Sequence, residues 1–397
     1  MQKVSNRIAN LSESQTIAMS KRSRELQQQG KDIINLSLGE PDFPTPDFIN
    51  DAAKAAIDNN FTKYTPVSGY QDLREAISAK FKRDNNLDYG IDQIVTSTGA
   101  KQTIANVVLS LVNPGDEVIV PAPYWVSYIE IIKMAEGIPV IVDASIENDF
   151  KITPSQLQNA ITSKTKLMIY SSPCNPTGSI YSKDELQVLA AVIASKKDFY
   201  VLSDEIYEHI NFVGKHESLA QFSEVKDQVI TVNGVSKGFS MTGWRLGYMG
   251  APKWIAAACD KMQGQFTSGT CSITQKAVVA AMQADPSVTY EMRDAFHKRR
   301  DYVLERLNKI EGVKTNTPEG AFYVFPDVSA FFGKDYNGSI INNATDLSLY
   351  LLESAQVALV TGEAFGSPNC IRFSYATSLD VLEKAMDRLE KALNDSN

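Results

Sequence analysis

Histidine is scarce in this chain. Its 397 residues include three, His209, His216 and His297. The four cysteines, Cys174, Cys259, Cys271 and Cys370, form no C-x-x-C pair and stand at no zinc-ligand spacing from a histidine. Neither a structural zinc site nor a multi-histidine metal centre is expected, and no metal ligand is assigned. Four cysteines without a framework spacing fit free thiols in a reducing compartment, so a cytoplasmic location is expected. Long apolar runs are also missing. Nothing approaches the ~18 residues of a membrane span, and the opening MQKVSNRIANLSESQ has no continuous apolar stretch of the secretory kind. Positive charge is in deficit: 39 Lys and Arg stand against 47 Asp and Glu, a net charge of −8. The basic footprint of a nucleic-acid binder is therefore absent. No G-x-G-x-x-G follows a first strand and no G-x-x-x-x-G-K-[ST] occurs, which removes the signatures of dinucleotide and P-loop enzymes.

What remains is ordinary globular material, 43% hydrophobic and 22% charged, long enough for two domains. From about residue 90 to 250, short apolar runs alternate with helical patterns. Strands are expected at 94–96, 117–120, 139–142, 167–170, 199–202 and 229–232, with helices starting near Gly99, Tyr124, Pro154 and Ser182. Runs apolar on both faces and spaced by helices predict an α/β fold with a mostly parallel central sheet flanked by helices. The tail differs: an amphipathic helix over 287–310, strands at 321–325, 357–360 and 371–375, and helices at 346–355 and 379–393 predict a smaller α+β domain. The expected division is an N-terminal segment 1–45 packing with the small domain, a large domain 46–285 and a small domain 286–397. A helix ending near Gly30 and an extended 33–36 belong to the first segment.

Three segments at or after strand ends hold the conspicuous chemistry: SSPCNPTG (171–178), SDEIYE (203–208) and NGVSKGFSMTGWRLGY (233–248). Ligand sites in open parallel sheets lie beyond the carboxyl ends of the strands, so these should converge. Lys237, between Ser236 and Gly238, can approach an aldehyde and form a Schiff base. Asp204 ends an apolar strand, where a carboxylate needs a cationic partner such as a protonated pyridine nitrogen. Tyr207 and Asn175 offer a phenol and an amide to a phenolic oxygen. Arg245 offers a planar fork to phosphate, and Gly99-Ala100 present free amides at a helix start. Trp125 can stack on a flat ring. Arg372, in a tail strand, can clamp a carboxylate.

Taken in order, GEPDF, KYTPVSGYQDLREA, TGAKQ, PYWVSY, NPTG, SDEIYE, SKGFSMTGWRLGY and RFSYA resemble the class I, fold-type I pyridoxal-phosphate aminotransferases, in particular the aspartate aminotransferase branch of bacteria and archaea, which includes aspartate/prephenate aminotransferases. The resemblance spans nearly the whole chain. It implies a transaminase using pyridoxal 5′-phosphate, with Lys237 holding the cofactor as a Schiff base and shuttling the substrate proton. Asp204 would pair with the ring nitrogen, Tyr207 and Asn175 would bind the ring oxygen, and Trp125 would stack on the ring. Gly99, Ala100, Ser236 and Arg245 would hold the phosphate. Tyr64 would reach the phosphate of a neighbouring subunit, making the active unit a homodimer with sites at the subunit interface. Arg372, beside the Gly39 backbone, would bind the substrate carboxylate, and Lys101 with Thr16 and Ser14 would read an acidic side chain. The substrates implied are aspartate or glutamate with 2-oxoglutarate or oxaloacetate. Prephenate, an aromatic or broad range, and a carbon–sulfur β-lyase activity on the same fold remain alternatives. No motif singles out a side-chain-binding arginine among Arg293, Arg299 and Arg300.

Overall fold

The structure, a computed structural model, describes residues 4–336 and 338–394; the ends of the expected first and last segments, 1–3 and 395–397, lie outside the described residues. Seven strands build the central sheet: β1 (Ile94–Ser97), β2 (Glu117–Ala122), β3 (Ile138–Asp143), β4 (Thr165–Ser171), β5 (Tyr200–Asp204), β6 (Val229–Gly234) and β7 (Gly247–Gly250). Their order is β1-β7-β6-β5-β4-β2-β3. All neighbours are parallel except β7, which runs against both β1 and β6.

Alternate residues leave the sheet on opposite sides, as the two-residue strand period requires. Ile119, Met168, Tyr170, Val201 and Val229 enter a core with Leu73, Ile77, Leu186 and Val278. Val118, Val120, Leu167, Ile169, Leu202 and Ile230 enter the opposite core with Ile104, Val108, Ile132 and Ile255. With helices on both faces, neither side can be polar, and this explains why the strands read as continuous apolar runs. The helix Lys183–Ala194 starts at a capping box in which Ser182 and Glu185 satisfy each other's backbone amides.

A further core gathers around the tail. Phe296, Val303 and Leu307 of the helix Tyr290–Leu307 pack with Phe322, Leu351, Phe373, Leu382 and Leu389. Ile206, Tyr207 and Ile210, from the turn after β5, belong to this same cluster. The two-residue strand Ile34–Asn35 pairs in parallel with Val357–Ala358, and Leu26 and Ile33 pack on Leu352.

Three details depart from the sequence pattern. The run 357–360 is not one strand. It splits into Val357–Ala358 and Val360–Thr361, which pair with different partners, the second with β-residues 371–372. The helix expected near Tyr124 starts at Ser127, because Tyr124 is tied by its amide to the Phe365 carbonyl at 3.0 Å. β7 carried no strand signal, since Gly-Tyr-Met-Gly is poor strand material. It exists because its glycines admit close neighbours: a Cβ on Gly247 would lie 2.2 Å from the Ala100 nitrogen. Gly247→Ala is therefore expected to destabilise the fold by about 1–3 kcal/mol through overpacking; an unchanged denaturation midpoint would show that β7 does not press on that helix start.

Candidate active site

One cavity of about 320 Å³ opens beyond the carboxyl ends of the parallel strands, a size normal for small-molecule sites. Asp204 is the last residue of β5, Asn175 follows β4, Lys237 follows β6, Trp125 follows β2, and the helix Ala100–Leu111 follows β1. Arg372 comes from the tail strand Ile371–Ser374, and Ser14 and Thr16 from the start of the helix Gln15–Gln28.

Lys237 and Asp204 are the titratable pair at its floor. Asp204 is buried; Tyr128 donates its hydroxyl to Oδ2 at 2.7 Å and the Ile206 amide donates to Oδ1 at 3.3 Å. Burial pushes its carboxyl up to about 6, although both donors pull the other way. The Lys237 amine donates to the Gly39 carbonyl at 2.5 Å. Burial brings it down to about 8; Arg372 and Arg245 act in the same direction, and Glu40 and Asp204 oppose them. A lysine with a lowered pKa in one cavity with a buried carboxylate whose pKa is raised is the pattern of a reactive centre.

The cations around this pair have no carboxylate of the described residues against them. Arg372 is 2% exposed. It donates from NH1 to Asn175 Oδ1 at 3.0 Å and from NH2 to the Ser37 carbonyl at 2.6 Å, while its buried Nε has no partner among the described residues. Arg245 donates to the carbonyls of Thr242 at 2.9 Å and Thr98 at 3.3 Å. Its backbone is left-handed, φ 56°, a conformation that costs energy outside glycine and so often marks function. Lys101 stays open to solvent on the cavity side, with Nζ 4.9 Å from the centre of the Trp125 ring. Desolvation by the walls, with Arg245 in the same direction, lowers its pKa.

Most of the residues singled out in the sequence line this cavity: Ser14, Thr16, Gly39, Ala100, Lys101, Trp125, Asn175, Asp204, Tyr207, Ser236, Lys237, Arg245 and Arg372. Gly99 stands just behind the wall. Its φ of 85° and its contact with Arg245, whose NH2 would be 2.4 Å from a Cβ there, require glycine. Tyr64 lies elsewhere, 99% exposed. Ser14 occupies the helix N-cap but makes no capping bond through its side chain. Arg293 and Arg300 pair with adjacent aspartates, Arg299 holds Asp42 through two bonds of 2.7 and 2.9 Å, and none lines the cavity.

Tyr128 and Tyr323 are among the wall residues that escaped the sequence reading. Tyr128 stands in the first turn of the helix Ser127–Met134, where its amide donates to the Trp125 carbonyl at 3.0 Å, and its bond to Asp204 spans 76 residues. Tyr323 shares a 2.8 Å hydrogen bond with the Tyr207 hydroxyl and lies under the Arg372 guanidinium at 4.6 Å. Its partner is 116 residues away, so no local signal could reveal it.

The arrangement suits a flat, phosphorylated, cationic ring with an aldehyde. Arg245 and the first amides of the helix Ala100–Leu111, which have no intrahelical acceptor, can take a phosphate. Asp204 can face a ring nitrogen, Trp125 offers a ring face, and Lys237 offers the amine.

Comparison with known proteins agrees. The family described as Aminotransferase class I and II matches residues 31–389. The chain is 47% identical to the bifunctional aspartate aminotransferase and glutamate/aspartate-prephenate aminotransferase of Petunia hybrida, over 98% of this chain and 82% of that protein. It is 44% identical to the aspartate/prephenate aminotransferase of Nitrosomonas europaea, over 99% and 100%. The crystal structure of the aspartate aminotransferase from Rhizobium meliloti superposes with a TM-score of 0.97 at 39% identity, covering all of both chains. That of the Thermus thermophilus enzyme with maleate gives 0.93 at 38% identity, covering 99% of this chain and all of the other. With a match of this extent and a cavity whose lysine, carboxylate and anion cradle suit the cofactor, the chain belongs to the class I and II aminotransferases, enzymes that work with pyridoxal 5′-phosphate.

Proposed function

We propose that this aminotransferase exchanges the amino group of L-aspartate or L-glutamate with a 2-oxo acid such as 2-oxoglutarate, and accepts prephenate as well. The observation that carries the proposal is the presence of two cations, Arg372 and Lys101, in one cavity with no carboxylate among the described residues on either. A dicarboxylic substrate supplies both missing charges. Thr16 and Ser14 lie at the same wall and add hydroxyl donors for a side-chain carboxylate. The maleate present with the Thermus relative is itself a dicarboxylate, and two of the relatives above are named for prephenate.

The cofactor, when bound, supplies an electron-withdrawing ring that makes the substrate Cα–H acidic. Asp204 keeps a negative charge opposite the ring nitrogen. Its carboxylate is oriented by the Tyr128 hydroxyl, so the charge meets the ring without rearrangement. Tyr207 and the Asn175 amide nitrogen donate to the ring oxygen; the Asn175 Oδ1 is already taken by Arg372, which turns the amide accordingly. Arg372 and the Gly39 backbone orient the substrate carboxylate. The Lys237 amine would hold the cofactor and would serve as the base that takes the proton from the substrate Cα. Its depressed pKa leaves much of the amine neutral near pH 8. Ser236, Ala100, Gly99 and Arg245 hold the phosphate.

The active unit is read as a homodimer in which Tyr64 reaches the phosphate side of the other subunit's cavity. Its exposure, together with that of Phe266 (67%), supports this. Supporting the division into segment 1–45, large domain 46–285 and small domain 286–397 are the separate cores and the 34–35 to 357–358 pairing. Four free cysteines agree with a cytoplasmic setting.

Lys101→Ala is expected to raise the KM for aspartate about ten- to a hundredfold, the worth of a charge-assisted hydrogen bond, and to leave that for alanine or phenylalanine nearly unchanged; equal effects would remove Lys101 from substrate recognition. Lys237→Ala should abolish turnover together with the covalent visible band of the bound cofactor, and near-native turnover in this variant would contradict its role. Only the neutral amine attacks the aldehyde. Covalent capture of added pyridoxal phosphate by the apo protein should therefore rise about tenfold per pH unit below pH 8 and level off above it; a rate already flat at pH 6 would count against a Lys237 held near 8.

A further inference from the structure

The turn that leaves the sheet after β5 has two faces. Asp204 and Tyr207, three residues apart, line the cavity. Glu205 and Glu208, also three apart, are buried and line no part of it. Glu205 is satisfied locally, by Ser203 at 2.8 Å, Ser218 at 2.7 Å and His216 at 2.9 Å. Glu208 is held from farther away. Lys80, itself 1% exposed, donates to its Oε1, and Asn85 Nδ2 donates to Oε2 at 2.8 Å. Lys80 also donates to Asn85 Oδ1 at 2.9 Å. Lys80 ends the helix Gln71–Lys80, and the chain continues as a single π turn, Phe81–Asn85. That wider turn brings Asn85 beside Lys80, so both donors meet one carboxylate. Such turns are uncommon and gather at functional sites. Burial pushes the Glu208 carboxyl up, and the Lys80 charge, foremost among its neighbours, reverses this and holds it well below the usual carboxylate range.

The same carboxylate reaches the loop that carries the amine. His209 Nε2 lies 3.3 Å from Glu208 Oε1. The imidazole is pressed against Gly238, where a Cβ would lie 2.6 Å from His209 Cδ2. It meets the Phe239 ring edge-on, with 5.3 Å between ring centres. Gly238 directly follows Lys237. A line of contacts thus runs from Lys80 and Asn85 through Glu208 and His209 to the backbone of the lysine loop, while the backbone of Glu208 itself continues from Tyr207. A buried ion pair is weak evidence for a stability role, and its better-attested use is to select one arrangement among several.

We propose that Glu208, clamped by Lys80 and Asn85, is a positioning residue that holds His209 against Gly238 and so keeps Lys237 in register with Asp204 and Tyr207. This rests on the reading of the cavity as the cofactor site. The test compares wild type, Glu208→Gln and the charge-balanced double variant Lys80→Met with Glu208→Gln. The readouts are the apo-protein Tm, the cofactor Kd, the pH midpoint of the bound cofactor's visible band, and kcat and KM for aspartate. Glu208→Gln is expected to lower Tm, weaken cofactor binding about tenfold or more, shift the pH midpoint and lower kcat by about ten- to a hundredfold, with KM changed far less. The double variant removes both charges of the pair, and Asp84, 3.9 Å from Lys80, keeps its bond to Arg83, so its Tm should recover while the cofactor and kcat defects persist. If kcat and the spectrum recover with Tm, Glu208 serves stability alone and the proposal is overturned. Should Glu208→Gln not fold, His209→Ala leaves the Lys80–Glu208 pair in place and is expected to reproduce the spectral shift and the kcat loss; wild-type values there overturn the proposal equally. A wild-type protein that stays colourless with pyridoxal phosphate overturns the reading of the cavity and this inference with it. A coloured wild type matched by its variants overturns the positioning role only.

Discussion

A buried guanidinium with no carboxylate beside it among the described residues is the constraint on which the site depends. Removing such a charge from water costs several kcal/mol unless oxygen acceptors surround it. Arg372 finds them in the Ser37 carbonyl and the Asn175 side chain, and it lies over the rings of Tyr323 and Phe365. Those partners come from the N-terminal segment, the end of β4 and the tail. This one side chain therefore joins three parts of the chain, and its Nε has no partner among the described residues.

The floor of the cavity obeys the complementary rule. Burial raises Asp204 and lowers Lys237, so each is closer to neutral than it would be in water, and a cationic ring nitrogen would restore the charge on Asp204. The N-terminal strap keeps both ends of this arrangement in place. The Gly39 carbonyl takes the Lys237 amine, and only a glycine fits there, because a Cβ would lie 2.1 Å from the Tyr323 hydroxyl oxygen. Farther along, Asp42 is held by Arg299 and Thr45 donates to the Ser240 carbonyl at 2.8 Å. The strap thus bridges the helix Tyr290–Leu307 and the lysine loop.

The strands that carry chemistry were legible because burial on both faces writes an unbroken apolar run, and the reactive residues stand at or just past the ends of those runs. Asp204 at the end of β5 and Lys237 after β6 show this most plainly. β7 was not legible. Its glycines are there to admit the start of the helix Ala100–Leu111, and that neighbour is invisible along the chain. Neither Tyr128 nor Tyr323 was legible, since the value of each lies in a hydrogen bond across the fold, to Asp204 and to Tyr207. The arginines of the helix Tyr290–Leu307 resisted assignment for a related reason: a sequence shows charges but not their partners, and all three prove to be held by aspartates.

From its residues alone the chain determines its layered α/β class, the loops at the strand ends, and the kinds of group those loops carry, because periodicity and residue chemistry are local properties. Which cations stay without a counter-charge, which carboxylate is pushed upward, and how the lysine amine comes to rest on a carbonyl 198 residues away were decided by tertiary structure. Desolvation and pairing depend on what packs against a group from distant segments, and those neighbours exist only once the sheet has brought its strand ends together.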